Sequence, residues 1–325
     1  MTAESAAIGA TVIASNTVVQ VPSVIAGTAS IAPAFVVPTS IVSSPSVSAG
    51  SVSIAPVSLA PASNVPSPAV SVASGYDSDA QSYFAAMSGQ PDSTRKGLLN
   101  DLVVGLKADG VWPSLDWLVL LASHDEQSAR LNAIIPSKAV AAINSPAFTP
   151  NLGFTGDASS SYVLFGETLG AAGKATLNSA TIGVWCNQTG GTLTGLSSHF
   201  GRASNATPQA TIRPQGSSGS SDQIALNDNN GANFRQSTGT RNGHRTAVRL
   251  DGNVKQGFFS GARVFNSAAV AVVGIANGNM SLLRNDTAYS ADRLAAAYTG
   301  AGLTDALVAA LHSRLSTYLT AIGAA

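Results

Sequence analysis

Ala180-Thr-Ile-Gly-Val-Trp-Cys186 decides the architecture, because it is one of a set. Tyr162-Val-Leu-Phe165, Ala210-Thr-Ile-Arg213, Arg245-Thr-Ala-Val-Arg-Leu250 and Phe258-Phe259 are short apolar stretches of the same kind, read at a period of two from Phe148 onward. Turns rich in Gly, Asn and Ser separate them at intervals of about 10–15 residues. That rhythm predicts an antiparallel sandwich or jelly roll over residues 145–325. Leu303-Thr304 then opens a C-terminal helix over 304–322, with Leu307, Leu311, Leu315, Tyr318 and Leu319 on one face. A single terminal helix of this kind packs on its own sandwich or on a neighbouring protomer.

Upstream, residues 76–144 read as a small helical connector. Ser78-Asp79 opens a first helix carrying Tyr83, Phe84 and Met87. Pro91-Asp92 starts a second, in which Leu98, Leu99, Leu102, Val103 and Leu106 form an apolar stripe, and Gly110 ends it. After Trp112-Pro113, Ser114 is placed to cap a third helix bearing Leu115, Leu118, Val119 and Leu121. Trp112 and Trp117 are expected to pack this bundle.

Residues 1–75 are of another kind. They carry one charged side chain, Glu4, and a dense run of Val, Ile, Ala and Ser. Disordered tails carry charge and little branched apolar surface; this segment does the reverse. It also repeats, residues 23–45 realigning without a gap on 46–68 with 13 of 23 positions identical. Pro22, Pro45 and Pro68 recur at the repeat length, and Pro33/Pro56 and Pro38/Pro61 recur inside each unit. Proline is confined to sheet edges and strand starts, so the expectation is an arm of short strands, such as Ala29-Ser30-Ile31 and Ser53-Ile54, separated by kinks. Repeats that cannot bury a face alone stack on neighbours or on copies in other chains. The arm is therefore read as an assembly element, with the prolines as its punctuation and hydrogen bonds to other chains as its backbone partners. A plain Ala/Ser/Pro linker is the alternative.

Composition excludes several roles. Lys+Arg and Asp+Glu balance at 17 each, so no net field favours nucleic acid or an anionic membrane. No run of 18 apolar residues predicts a membrane helix, and residues 1–20 lack the basic stretch of a secretory signal. The single cysteine, Cys186, forms no intrachain disulfide and no multi-cysteine metal site, and beside Trp185 in a strand it reads as a small buried apolar residue.

Two sets of residues resemble a family of phage and prophage structural proteins, also represented in gene transfer agents. The first runs Pro91…Arg95-Lys96…Leu99-Asn-Asp-Leu102…Gly110-Val-Trp112…Leu115-Asp116. The second comprises Phe148-Thr149…Gly153-Phe-Thr-Gly-Asp157…Ser161-Tyr162 and Tyr289-Ser-Ala-Asp-Arg293…Gly300-Ala-Gly-Leu-Thr304. The resemblance covers roughly residues 79–325. It implies a mainly β fold with a concanavalin A-like (laminin-G-like) sandwich, displayed by a peripheral tail or head fibre or spike on the virion exterior. It also implies a homo-oligomer, commonly a trimer, or a pentamer at a capsid vertex, held to other virion proteins through the N-terminal arm.

The resemblance further implies a sandwich able to bind host-surface polysaccharide, in a fold some of whose members use calcium or cleave glycans. Calcium needs several oxygen ligands, usually with two or more carboxylates. The best local cluster, Asn227-Asp228-Asn229-Asn230-Gly231, has one, so no metal or other cofactor is expected. A glycosidase needs two carboxylates flanking the scissile bond, and no closely spaced Glu-x-Asp-x-Glu strand occurs. His199 and His244 are isolated, and no enzyme is expected. The glycan-binding candidates are His199, Asn227, Asp228, Asn229, Arg241, Asn242 and Arg245, the last three in the one basic cluster of the β region. A capsid decoration protein without ligand is the alternative reading, and a polysaccharide depolymerase a further one.

Overall fold

The structure is a computed structural model. It describes residues 75–191, 197–202, 208–214, 222–228, 240–267 and 271–325, with short backbone stretches at 7–8, 29–31, 52–54 and 235–236. The chain divides between Tyr76 and Asp77 into two compact units.

In the first unit, β1 (Ala7–Ile8), β2 (Ala29–Ile31) and β3 (Val52–Ile54) pair side by side in parallel, in that order. Ala7 stands opposite Ser30 and Ile8 opposite Ile31; Ala29, Ser30 and Ile31 stand opposite Val52, Ser53 and Ile54. Each pairing joins positions 23 apart. Within the chain the described strands thus stack on neighbouring repeats, one of the two arrangements expected of such units. Pro22, Pro33, Pro38, Pro45, Pro56, Pro61 and Pro68 lie outside the described residues.

The second unit opens with α1 (Ser78–Ala86) and α2 (Ser93–Ala108). The carboxylates of Asp77 and Asp92 accept from the Asp79 and Arg95 N–H groups and cap the two helices. Gly110, at φ +75°, ends α2 in the left-handed conformation that a side chain would resist. Beyond it, the expected third helix is absent. A single 3₁₀ turn at Trp112–Ser114 leads into β4 (Leu115–Val119), a fully buried strand. A short continuous apolar run fits a buried strand as well as a helix, and here an open sheet edge supplies the backbone partners. Trp117 accordingly packs edge-on against Phe165 at 5.2 Å in the sandwich core, away from Trp112. The stretch expected to be a helical connector therefore contributes a strand to the sandwich.

After α3 (Glu126–Arg130), the strands in order are β5 (Ala141–Ile143), β6 (Ala147–Thr149), β7 (Gly153–Thr155), β8 (Tyr162–Thr168), β9 (Ala180–Gln188) and β10 (Phe200–Arg202). Then come β11 (Gln209–Arg213), β12 (Asp222–Asp228), β13 (Arg235–Gln236), β14 (Gly243–Arg249), β15 (Lys255–Phe259) and β16 (Ala262–Ser267). The last are β17 (Asn279–Leu282), β18 (Arg284–Asn285), β19 (Ala288–Tyr289) and β20 (Arg293–Gly300), followed by α4 (Asp305–Ala321). One sheet has the order β13-β12-β11-β10-β17-β8-β5; the other runs β16-β15-β14-β9-β20-β7-β6, with β4 also on β20. Their pairings are antiparallel.

Alternate residues of each sheet meet in one core. Ile182, Val184 and Ala247 from one side pack with Val163, Phe165, Phe200, Ile212, Ile224, Leu226 and Leu282 from the other. The protein's second unit is a two-sheet antiparallel β-sandwich with a C-terminal helix. Thr304 caps α4, which buries Val308, Leu311, Leu315, Tyr318 and Leu319 and packs on its own sandwich. Arg314 of α4 also holds Asp109 beyond α2, at 2.8 Å.

Candidate functional site

The sandwich interior is charged as well as apolar. On β12, Asp222, Ile224 and Leu226 share one face by strand alternation, and Asp228 follows a bulge at Asn227. On β14, Arg245, Ala247 and Arg249 share the facing side. The Arg245 guanidinium reaches Asp222 at 2.8 Å, and Arg249 reaches Asp228 at 2.8 Å. Lys255 of β15 adds a second cation 2.9 Å from Asp228. All five side chains are buried. Burial pushes the Lys255 amine below its ordinary value, and Asp228 opposes that shift.

Four of the glycan-binding candidates, His199, Asn227, Asp228 and Arg245, lie inside the protein. Arg245 also donates to the carbonyls of Arg241, Asn242 and Thr240, which fastens the loop before β14. Asp228 sits between its two cations. Asn227, at φ +58°, is buried and serves as a clip: its amide donates to the Thr176 and Leu177 carbonyls and accepts from the Ala276 N–H. Asn229 lies outside the described residues.

His199 and Arg241 come together near the start of β14, around Asp292. The Asp292 carboxylate accepts from His199 Nε2 at 2.7 Å and from the Gly190 N–H at 2.7 Å, and the Arg241 guanidinium stands 3.1 Å from it as an ion-pair partner. Arg241 also donates to the Gly190 and Gly191 carbonyls. Asn242 is exposed beside it. Sequence reasoning missed Asp292 as the centre of this cluster, because nothing in its local pattern distinguishes it from a turn acid.

Cys186, His199 and Asp292 place their ligand atoms within 4.8 Å of one another, a set of the kind that holds a transition metal. The surroundings do not fit an ion. Asp292 is already engaged by two hydrogen-bond donors and by the Arg241 guanidinium. Desolvation and the nearby Asp292 charge push the Cys186 thiol up to about 12, so it is protonated in the metal-free chain. Burial lowers the His199 pKa despite Asp292, so the ring is held there as a neutral hydrogen-bonding post.

A second feature is half-exposed. The Arg284 guanidinium lies 4.3 Å from the Tyr162 ring centre and 5.4 Å from that of Tyr289, and the rings are 6.2 Å apart. β8 and the β18–β19 hairpin bring these residues together from opposite ends of the sandwich sequence. Beside them, the Asn285 side chain is 1% exposed and neither its oxygen nor its nitrogen has a partner. Aromatic faces beside a guanidinium are groups that bind hydroxyl-rich ligands, while the Asn285 amide beneath is closed to solvent. The signal was present in the sequence: Tyr162 and Tyr289 both fall in the stretches that carry the resemblance.

Asp157 completes the inventory. Its carboxylate caps the N–H groups of Ser159, Ser160 and Ser161, which hold it well below the ordinary carboxylate range against the cost of burial. It builds a turn.

The fold and these clusters define an antiparallel β-sandwich cross-braced by buried ion pairs. No family model matches the chain, and no curated protein does. Among solved structures, the chain is similar to Trypanosoma rangeli sialidase in complex with a difluoro-KDN, at 11% identity and TM-score 0.46 over 69% of this chain and 40% of that one. It is also similar to domain 4 of AbnA, a GH43 extracellular arabinanase from Geobacillus stearothermophilus in complex with arabinotriose, at 14% identity and TM-score 0.37 over 61% and 98% of the two chains. The binding domain of Paraclostridial Mosquitocidal Protein 1 matches at 9% identity and TM-score 0.41, over 62% and 52%. The chain thus spans about two fifths of the length of the sialidase. No helix among the described residues is long and apolar enough to cross a membrane.

Proposed function

We propose that this protein is a non-enzymatic attachment subunit of a virion-like particle, a peripheral fibre or spike. Its N-terminal unit would assemble it, and its sandwich would present a surface to host glycans. The observation that carries this reading is the near-neutral, repeated N-terminal unit, whose described strands pair at the repeat length within a compact unit of their own.

For the sugar-binding half, the supporting feature is the half-exposed Tyr162–Arg284–Tyr289 group with Asn285 at its side. Arg241 and Asn242 are the sequence-predicted candidates that retain a surface position. Against catalysis by the interior acids stands their engagement: Asp222, Asp228 and Asp292 are buried and each faces a cation. The inward placement of His199, Asp228 and Arg245 favours a second reading, a decoration protein whose sandwich covers surface without binding sugar.

A glycan array with the full-length protein separates the two. Binding that falls at least tenfold in Tyr289→Ala or Arg284→Ala, with thermal stability retained, supports attachment. Silence across surface polysaccharides of the true host leaves decoration as the account. Solution mass of the full-length chain beside one beginning at Asp77 tests the assembly half: self-association confined to the full-length protein is the expected result.

A further inference from the structure

In the N-terminal unit, Ala7, Ser30 and Ser53 occupy one column of the parallel ladder, and Ile8, Ile31 and Ile54 the next. Every step along a column is 23 positions. The same shift carries the sequence repeat beyond residues 23–68. Upstream, Ala3, Ala6, Ile8 and Pro22 match Ala26, Ala29, Ile31 and Pro45. Downstream, Val70, Ser71 and Ser74 match Val47, Ser48 and Ser51 before the unit ends. Backbone register and residue identity are separate observations, and they give one period.

A ladder whose strands are copies of one another has matching ends. Among the described residues, β1 and β3 each pair on one edge alone. The outer edge of β3 stands to a further strand as the outer edge of β2 stands to β3. A β1 strand from a second copy meets that requirement. Exposed edges are ordinarily blunted with charge, lysine above all; here Glu4 is the sole charge in residues 1–75. A contact between two different edges is heterologous and adds copies in line unless the rotation closes a ring.

We propose that the N-terminal ladder is a self-docking element: the free edge of Val52–Ile54 pairs in parallel with the free edge of Ala7–Ile8 of a second copy, joining chains head to tail. Ser53 of one copy then faces Ala7 of the next, and the column continues across the junction. The proposal deepens the assembly half of the reading above and is independent of sugar binding, so a silent glycan array leaves it standing.

Cysteine cross-linking of the full-length protein tests it, with the native Cys186 buried and out of play. Strands pair about 4.8 Å apart, within the ~4.4–6.8 Å Cα span of a disulfide, whereas strands two apart stand about 9.6 Å away and out of reach. Oxidised Ser30→Cys/Ser53→Cys should link within one chain and run at monomer mass. Oxidised Ala7→Cys/Ser53→Cys should give a reducible ladder of dimers, trimers and larger species. Inter-chain products from the first pair, monomer alone from the second, or a series that stops at one closed oligomer would each overturn the proposal. Ser53→Lys supplies an independent check: the weight-average mass in sedimentation should fall at least twofold while the near-ultraviolet tryptophan signal of the sandwich is unchanged. An unchanged mass in this variant also counts against it.

Discussion

Arg245 Nε lies 2.8 Å from Asp222 Oδ2 across the interior of the sandwich, with the two side chains 3% and 4% exposed. The pair ties β14 of one sheet to β12 of the other. Removing one member of a buried ion pair leaves an uncompensated charge, at a cost of about 3–5 kcal/mol. Arg245→Ala and Asp222→Ala should each lower unfolding stability by that amount in urea titration. The double replacement by apolar residues should cost less than the sum, giving a coupling energy in the double-mutant cycle.

At the opposite end of β14, one carboxylate serves two cations. Asp228→Asn strands both Arg249 and Lys255, whereas Lys255→Met leaves a matched Arg249–Asp228 pair. Asp228→Asn should therefore be the more damaging by at least about 2 kcal/mol, and thermal or urea unfolding of the two variants gives the order directly. Equal losses would show that Lys255 contributes a bond of the same worth as the pair.

A stack of rings joins α4 to the sandwich. His244 Nδ1 lies 3.1 Å from His312 Nδ1, His244 Nε2 lies 2.8 Å from the Tyr298 hydroxyl, and Trp185 stacks on both imidazoles. Burial, then the neighbouring His312 and Arg245, pushes His244 down to about 3. The unfolded chain takes up that proton near pH 6.5 and the folded one does not, so stability is full above pH 6.5 and falls as pH drops toward 3. Between pH 8 and pH 5 the loss from this residue should be about 2 kcal/mol, read as a shift of the urea midpoint. His244→Phe should flatten that slope even if it lowers stability throughout.

Cys186 should be chemically silent in the folded protein. Its buried thiol is held up to about 12, so at pH 8 the native chain should resist a thiol reagent that labels the denatured chain at once. Fast labelling of native protein would mean that the sandwich opens at the Asp292 end.

The sandwich and its terminal helix were legible because their signals are local: two-residue alternation from Phe148, and a capped apolar stripe after Thr304. Leu115–Val119 was not. Its five buried residues carry no period, and only the distant β20 makes them a strand. The candidate site was misjudged for a related reason. Arg241–Arg245 and Asn227–Asp228 look like polar surface in sequence, where charge implies solvent. Their partners, Asp222, Arg249, Lys255 and Asp292, lie far from them in the chain, and long-range pairing has no local signature. Arg284, which brings Tyr162 and Tyr289 together, was hidden in the same way.

β20 is the last strand in the chain, yet it lies inside its sheet, touching β9 and β7 and also β4 from the far end of the unit. The ribosome must therefore deliver every other described strand of the sandwich before that sheet has its middle. Until then, β4 and β9 wait with open edges, so a truncated translation product lacks the sheet's centre and is exposed to edge-to-edge aggregation. Quality control of this protein is thus built into its strand order: a chain that stops short of Gly300 cannot present a finished sandwich.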